Sequence, residues 1–249
     1  MTSRTPIETW YPESRFGGYT DIDGTLLFYA RLRSLITADS VVLDVGCGRG
    51  AHKEDPVRIT RELRNLRGHA KRVIGIDVDA AAAENPWIDE FHRIAPDGSF
   101  PVEDSSCDLL YSDCVLEHVA DVDTYFRECA RVLKPGGVLA IRTTNALGYV
   151  AWAARLIPRR LHIAILMRAQ NERRPEDMFP PVYACNTRRR LRAALTRVGL
   201  DSVVYTNESE PRYFLFSRLL YALAVFHQRF APRAMRLALV AFARKEATA

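Results

Sequence analysis

The sequence predicts an α/β protein with a doubly wound, mostly parallel sheet. Short apolar segments rich in β-branched residues alternate with segments whose apolar residues recur at helical spacing. The first of these strands, VVLDV, runs directly into a glycine-rich turn, GCGRG. In a doubly wound sheet, that turn is the usual position of a nucleotide cradle. Alternation of this kind builds βαβ units, and helices then cover both faces of the sheet.

Length and composition fit one domain with a substantial core. Of the 249 residues, 48% are hydrophobic and 26% are charged. No apolar run approaches the roughly 18 to 20 residues that span a bilayer, and the N-terminal segment lacks the apolar region of a secretory signal. The five cysteines form no C-x-x-C pair. We therefore expect neither a disulfide framework nor a zinc site, and we predict a cytoplasmic protein.

The elements of the N-terminal part and the core follow in order. Residues 1–40 are predicted as a leader and a covering helix, with residues 1–20 irregular and the helix at 25–36. Residues 41–145 are the predicted core, in which a lysine-proline-glycine-glycine sequence ends the last helix. The predicted core strands are 41–46, 72–77, 91–94, 107–113 and 138–144, and the predicted core helices are 56–67 and 121–134.

The regular alternation of predicted strands and helices ends after residue 145. Residues 146–185 are expected to form a helical lid over an acceptor, and residues 186–249 to supply the C-terminal helices and the last strands. The predicted elements there are a basic helix at 187–198, a strand at 201–206, an apolar helix at 213–230 and a final strand or helix at 237–245.

The glycine-rich turn, residues 46–50, is the first candidate site. Glycine at every second position permits positive φ and lets a ligand approach the backbone closely. Asp44 lies two residues before the turn, where its carboxylate could receive an ammonium group or orient the loop. Asp77 ends the next strand, where a carboxylate can accept hydrogen bonds from both ribose hydroxyls. The segment AHKEDPVR after the turn lengthens this unit, and we interpret it as a surface insertion rather than a cover over the ligand.

The ordered set LDVGCGRG, GIDVD, SDCVLEHV and VLKPGG resembles the class I S-adenosylmethionine-dependent methyltransferases, in particular small bacterial members related to the quinone methyltransferases. The resemblance covers residues 26–145. It implies a Rossmann-like, seven-stranded sheet with an antiparallel last strand, and S-adenosylmethionine bound across the ends of the first strands. The cofactor-binding residues that it implies are Asp44, Gly46, Cys47, Gly48, Arg49, Gly50, Asp77, Val78, Asp97, Gly98 and Asp113.

A competing motif lies near the N-terminus. TDIDGTLLF, residues 20–28, resembles the aspartate nucleophile motif of haloacid-dehalogenase-type phosphatases. That nucleophile ends a buried strand, whereas the residues before Asp21 have no strand pattern and those after it have helical spacing. We therefore interpret Asp23 or Thr25 as the cap of the first helix. In this interpretation the residues that could close over the cofactor are Phe28, Tyr29 and Arg31.

Methyl transfer to an oxygen requires a base, and the candidates follow the fourth strand: Asp113, Glu117 and His118. His118 is the expected base. The alternative is that Glu117 and His118 pack and cap the helix beneath the cofactor. Some relatives bind a divalent metal through a glutamate at the position of Cys114, and a thiol there predicts that this chain binds no metal.

The acceptor is expected to contact the end of the fifth strand and the lid. Candidate contacts are Arg142, Thr144, Asn145, Tyr149, Trp152, His162 and Tyr183. Because aromatic residues of a lid also pack its own core, a purely structural role for these aromatics is the alternative.

Charge is distributed unevenly along the chain. Residues 1–145 carry 17 basic and 23 acidic residues, whereas residues 146–249 carry 18 basic and 7 acidic ones. A basic C-terminal part suits an anionic partner, although a solvated surface is the simpler interpretation. Residues 212–236 combine apolar side chains with arginines. They are expected either to contact an anionic membrane at its inner face or to be buried against the sheet or a second subunit.

We predict an S-adenosylmethionine-dependent methyltransferase that methylates an oxygen of a sugar, a lipid-linked molecule or another small acceptor. One alternative is C- or N-methylation of a quinone or an amine. Another is a non-catalytic, cofactor-binding regulator with a basic face toward nucleic acid. Because no stacking-aromatic motif accompanies the basic part, nucleic acid is not an expected partner. The sequence leaves the acceptor and the oligomeric state open.

Overall fold

The computed structural model describes residues 4–156 and 180–247. A seven-stranded sheet forms its centre, with the strand order β3-β2-β1-β4-β5-β7-β6. β7 is antiparallel to both of its neighbours and the other pairs are parallel, which confirms the predicted doubly wound sheet with a reversed last strand. The strands are β1 Val41–Val45, β2 Arg72–Asp77, β3 Glu90–Arg93, β4 Cys107–Asp113, β5 Leu133–Thr144, β6 Leu200–Asn207 and β7 Ala238–Lys245.

Helices cover both faces of the sheet. The described helices are α1 Pro6–Trp10, α2 Gly24–Leu35, α3 Arg58–Arg64, α4 Val122–Val132, α5 Tyr149–Leu156, α6 Arg188–Arg197 and α7 Arg218–Phe230. Leu32 of α2 and Leu63 of α3 belong to the core on one face, and Phe126 of α4 and Leu191 of α6 belong to the core on the other. Successive side chains of β1 alternate between the two cores, as the pleat of a strand requires.

The cap of α2 settles the interpretation of the TDIDG motif. Asp23 is buried, and its Oδ1 accepts hydrogen bonds from the backbone N–H groups of Thr25, at 2.9 Å, and Leu26, at 3.0 Å. This is N-cap geometry, which satisfies two amides at the start of the helix. In residues 4–20, which the structure describes, no strand leads into Asp21, so the motif has no strand end from which a phosphatase nucleophile could project.

The N-terminal leader was predicted as irregular, and this was wrong for α1. Thr5 and Glu8 form a capping box: the Thr5 side chain accepts from the Glu8 backbone, and the Glu8 side chain accepts from the Thr5 backbone. The sequence carries this signal, a threonine followed three residues later by a glutamate. α1 then lies against α7, where Tyr11 packs in the same small core as Tyr221 and Val225.

Two further elements differ from their predicted bounds. β5 begins at Leu133, because that residue pairs with Cys107. The register between β4 and β5 then shifts before Leu109 pairs with Val138, and Gly136, at φ 80°, lies in the part of β5 where it shifts. The apolar helix predicted for 213–230 is divided: a short 3₁₀ turn at Arg212–Phe214 is followed by α7, whose N-cap is Ser217. Among the described residues, none of the helices combines the length and the apolarity needed to cross a lipid bilayer.

The topology brings several segments to one edge of the sheet. β1, β2, β4 and β5 are mutually parallel, so their carboxyl ends share this edge. Ala238, the first residue of β7, pairs with both Thr144 and Asn207, so the connection from β6 to β7, which contains α7, lies at the same edge. In open α/β sheets, ligands bind outside the carboxyl ends of the strands.

Candidate active site

A cavity of about 480 Å³ opens at this edge of the sheet. Its floor is the turn at 46–50, and its walls include the ends of β2 and β4 and the loop between β3 and β4. The predicted residues that line it are Gly46, Cys47, Gly48, Arg49, Gly50, Asp77, Val78, Gly98, Asp113 and His118.

The turn presents bare backbone to the cavity at Gly48. Gly46, Gly48 and Gly50 have φ angles of 75°, 51° and 68°, a region that side chains with a Cβ rarely adopt. A Cβ on Gly48 would meet no atom of the described residues within 4 Å, whereas a Cβ on Gly46 would overlap Val115. A ligand can therefore approach the backbone at Gly48 from the open side.

Asp77 joins the turn to the end of β2. Its Oδ2 accepts the backbone N–H of Gly48 at 3.0 Å, and its Oδ1 accepts the backbone N–H of Asp79 at 2.9 Å. Val78, next to it, is 52% exposed and forms the rim of the cavity. The carboxylate that the sequence assigns to a ribose is thus held beside the glycine turn by two backbone amides.

Asp97 and Gly98 are adjacent in sequence, but only Gly98 lines the cavity. Gly98, at φ 83°, lines the cavity. Asp97 is not among the cavity-lining residues, and its carboxylate accepts hydrogen bonds from the backbone and the hydroxyl of Ser99 at 3.0 and 2.7 Å. A contact between Asp97 and an adenine ring stays a prediction.

Asp44 lies behind the turn, out of the cavity lining. Burial is the main cause that raises the pKa of Asp44 to about 7; the charges of Asp113 and Asp77 add to the rise, and a hydrogen bond with Tyr111 and the charge of Arg64 oppose it. A carboxyl group in this state becomes fully charged only above neutral pH or when a cation binds near it.

Asp113, at the end of β4, is ion-paired with Arg142 of β5. The Nε and Nη2 atoms of Arg142 donate to its two oxygens, both at 2.7 Å, and the Tyr29 hydroxyl donates to Oδ2 at 2.9 Å. Burial alone would raise the pKa of Asp113, but the charge and hydrogen bonds of Arg142 outweigh burial and hold that pKa well below its usual range. Such a carboxylate is a weak proton acceptor, and its geometry suits positioning.

Glu117 is buried and makes structural contacts. Its Oε2 accepts the Thr143 hydroxyl at 2.6 Å, and its Oε1 accepts the Thr144 hydroxyl at 3.0 Å. Its backbone carbonyl accepts the N–H groups of Val182 and Tyr183. Glu117 thus joins the end of β5 to the chain segment before α6, and it is absent from the cavity wall. These contacts are structural, as the alternative role requires, but they are made to β5 and to the segment before α6 and not to a helix terminus.

His118 is half-buried on the cavity wall. Its Nδ1 lies 3.3 Å from the carbonyl oxygen of Pro180. When Nδ1 carries the proton and donates it to that carbonyl, Nε2 is the ring nitrogen that accepts a proton. Of the three predicted catalytic residues, Asp113 and His118 line the cavity.

Sequence analysis did not predict several residues of the cavity wall, among them His52 and Arg64. His52 stacks on Trp87 with ring centroids 5.4 Å apart, and burial lowers its pKa to about 3, so its ring is neutral at ordinary pH. The Arg64 guanidinium lies 5.3 Å from the centre of the Tyr29 ring. The loop that carries His52 is the segment interpreted as a surface insertion; in fact, Ala51 and His52 line the cavity.

The described acceptor candidates lie outside the cavity wall. Arg142 is engaged by Asp113 and the Thr25 hydroxyl, and the Asn145 amide donates to the carbonyls of Ala234 and Arg236. His162 lies outside the described residues. The remaining candidates (Thr144, Tyr149, Trp152 and Tyr183), like Phe28, Tyr29 and Arg31 from α2, are described and do not line the cavity.

The cavity suits a nucleoside with a charged amino-acid tail. The open backbone at Gly48 and the carboxylate of Asp77 can bind a ribose, and the charge of Asp44 behind the turn can attract an ammonium group in the cavity. Within the described part of the chain, the buried Nε of Arg64 has no hydrogen-bond partner, so an anionic ligand group can be bound there. In residues 4–156 and 180–247, no three His, Cys, Asp or Glu side chains are grouped to hold a metal ion.

Comparisons with known proteins agree with this geometry. Residues 43–141 match the family described as "Methyltransferase domain". The ubiquinone biosynthesis O-methyltransferase of Bartonella tribocorum is 29% identical over 166 residues, which are 62% of this chain and 66% of that protein. The chain thus spans slightly less than two thirds of that curated relative.

Two solved structures show the same fold. The protein bound to the Trm112 methyltransferase activator of Haloferax volcanii aligns with a TM-score of 0.58 at 18% identity, covering 98% of this chain and 97% of that one. Geranyl diphosphate C-methyltransferase from Streptomyces coelicolor, solved with S-adenosyl-L-homocysteine, aligns with a TM-score of 0.54 at 18% identity, covering 88% and 74%. The glycine turn, the carboxylate at the end of β2 and the family match lead to one conclusion: residues 43–141 form a methyltransferase domain of the class I fold, and S-adenosylmethionine is the cofactor that fits its cavity.

Proposed function

We propose that the protein transfers the methyl group of S-adenosylmethionine to a hydroxyl oxygen of a small acceptor, such as a sugar or a lipid-linked molecule. When bound, the cofactor supplies a methyl group already activated by its sulfonium. The chain must then align the acceptor and remove its proton. The observation that carries the proposal is the position of His118 on the cavity wall with Nδ1 directed to the Pro180 carbonyl.

His118 is the base in this proposal. The Pro180 carbonyl holds the ring by Nδ1, and Nε2 then accepts the hydroxyl proton of the acceptor as its oxygen is methylated. The other titratable side chains of the cavity suit this task less well. Arg142 keeps Asp113 ionised and weakly basic, and burial keeps His52 neutral with a pKa of about 3.

The test begins with calorimetry of the purified protein and S-adenosylhomocysteine, which must show binding. Methyl transfer is then measured with panels of sugars, lipid-linked hydroxyl compounds, quinones and amines. With the acceptor so found, His118→Ala is expected to lower kcat by about a hundredfold or more, the contribution of one acid-base group. His92→Ala is the control, because His92 bonds to Glu90 on β3 and lies outside the cavity wall.

The outcomes separate the candidate functions. A rate that His118→Ala leaves unchanged excludes the base role and favours C- or N-methylation of a quinone or an amine. Binding of S-adenosylhomocysteine without transfer to any acceptor class favours a non-catalytic regulator. If the wild-type protein does not bind S-adenosylhomocysteine, the proposal as a whole is refuted.

A further inference from the structure

α7 has an exposed apolar face. Leu219, Leu223, Phe226 and Phe230 are 70%, 57%, 63% and 70% exposed, and we call these four residues the α7 stripe. Their spacing of four, three and four residues places them along one side of the helix. The rings of Phe226 and Phe230 lie 4.5 Å apart and form one continuous apolar surface.

The opposite side of α7 is already packed. Tyr221, Ala224 and Val225 are buried, and Tyr221 and Val225 share a core with Tyr11, which follows α1. The inner face therefore accounts for the folding of α7 against the domain. The α7 stripe contributes nothing to that core, and large exposed apolar patches mark binding surfaces.

The segment that carries the stripe has charges of one sign. Residues 211–237 contain five arginines and no aspartate or glutamate. At 3.6 residues per turn, Arg218 and Arg229 lie about 90° around α7 from the stripe, and Arg229 and Arg233 are exposed. An apolar stripe flanked by arginines is the pattern of a helix that lies in the headgroup region of a membrane.

The connection that carries the α7 stripe begins and ends at the same edge of the sheet as the cavity. The connection from β6 to β7 is tied to the end of β5, because the Asn145 amide donates to the carbonyls of Ala234 and Arg236, both at 2.8 Å. It is also tied to the start of α2 by the ion pair of Arg212 with Asp23. A surface seated on the α7 stripe would thus be adjacent to the edge where the cavity opens.

We propose that the α7 stripe docks the protein on an anionic lipid surface. The apolar side chains enter the headgroup region while Arg229 and Arg233 contact the lipid phosphates. A second copy of the chain fits the same face less well, because a twofold contact would bring the arginines of both copies together without an acidic partner in 211–237. Docking goes beyond the proposed methyl transfer and does not depend on it.

Co-sedimentation with vesicles tests the proposal. The full chain is expected to sediment with vesicles of phosphatidylcholine and phosphatidylglycerol, and not with phosphatidylcholine alone. Phe226→Ser with Phe230→Ser removes half of the stripe and should lower the vesicle affinity at least tenfold. Arg229→Gln with Arg233→Gln should lower it about thirtyfold, on the basis of roughly fivefold for each arginine near an anionic surface.

Two matched controls accompany these variants. Val203→Ser removes a 65% exposed apolar side chain from β6, and Arg188→Gln with Arg189→Gln removes two exposed charges from α6. Both should sediment as the wild type does. S-adenosylhomocysteine binding by every variant is measured by calorimetry, so a misfolded variant is recognised.

Three results would overturn the proposal. They are the absence of sedimentation with anionic vesicles, equal losses in the controls and the stripe variants, and a dimer in light scattering that becomes a monomer in Phe226→Ser with Phe230→Ser. The last result would assign the stripe to a second copy of the chain.

Discussion

At the scale of single residues, two carboxylates at the carboxyl edge of the sheet lie in opposite electrostatic situations. Asp113 is held ionised by Arg142, whereas burial and the neighbouring carboxylates raise the pKa of Asp44 to about 7. Near neutral pH, Asp113 therefore keeps its charge while Asp44 gains or loses a proton. Binding of a cation near Asp44 favours its ionised form, so we expect cofactor affinity to depend on pH.

We expect the affinity for S-adenosylhomocysteine to fall as the pH drops below about 7. The amino group of the ligand stays protonated there, since an α-amino group has a pKa of about 8 or higher, while Asp44 becomes neutral and stops attracting it. The limit is about tenfold per pH unit below the pKa of Asp44. Calorimetry across this range measures the slope, and Asp44→Asn should flatten it and weaken binding at high pH.

Asp201→Asn is the control for this experiment, because Asp201 is an exposed residue of β6. It should preserve both the affinity and its slope. An equal slope in Asp44→Asn and the wild type would show that another group controls the pH dependence.

How far the site could be predicted differs from residue to residue. The glycine turn and Asp77 could be predicted, because a strand that ends in glycine is recognisable from the local sequence alone. His52 was not, since the path of an irregular loop depends on its packing against Trp87. Arg142 was assigned to the acceptor, but β4 and β5 pair in a register that sets it beside Asp113, and strand register cannot be deduced from one sequence.

At the scale of elements, the glycines of the turn share one backbone conformation but not one environment. A Cβ on Gly50 would lie 2.5 Å from Asn85 Oδ1 and 2.8 Å from the Trp87 ring. A Cβ on Gly48 would extend into open space above the turn. We therefore expect packing to exclude a side chain at Gly50, and the bound ligand to exclude one at Gly48.

Alanine substitutions should separate these two requirements. Gly48→Ala is expected to cost about 1 to 2 kcal/mol of unfolding free energy, from positive φ alone, and to lower the affinity for S-adenosylhomocysteine at least tenfold. Gly50→Ala should cost more stability, because a fixed clash adds to the same strain. Urea unfolding and calorimetry give both quantities.

Gly136→Ala provides the reference for strain. The φ of Gly136 is 80°, a Cβ added there would have no atom of the described residues within 4 Å, and the residue is remote from the cavity wall. Gly136→Ala should match Gly48→Ala in stability and the wild type in affinity. Equal affinity in Gly48→Ala and Gly136→Ala would contradict the assignment of Gly48 to the ligand.

Most elements were predictable because their periodicity is strong, and the exceptions have identifiable causes. The predicted bounds of α4 and α6 agree with the structure to within two residues, because a glycine follows the end of each helix in the sequence. The apolar run at 213–230 was predicted as one helix, but Ser217 starts a new helix within it. A cap inside an apolar run is a weak signal, because serine is also tolerated within helices.

At the scale of the whole molecule, the cavity joins segments that are distant in sequence. Its walls come from the turn after β1, the end of β2, the loop before β4 and the 3₁₀ turn after β4. None of these segments contributes more than a few residues to the two cores on the sheet faces. A ligand that contacts all of these segments therefore adds noncovalent contacts between them at the carboxyl edge, and it stabilises the folded state.

We expect S-adenosylhomocysteine to raise the melting temperature by about 5 to 10 °C at a concentration a hundredfold above its Kd. Such a ligand adds about 2.7 kcal/mol when it binds only the folded state, and a chain of this size gains about 2 to 4 °C per kcal/mol. Adenosine should give a smaller shift, because it lacks the amino-acid tail, whose ammonium group the charge of Asp44 attracts and whose carboxylate Arg64 can bind. Differential scanning fluorimetry over a ligand series measures both.

In Gly48→Ala the same ligand concentration should shift the melting temperature less than in Gly136→Ala. Equal shifts for the two ligands would mean that the tail makes no contact with these residues, and the cavity would then be a nucleoside site without the amino-acid end.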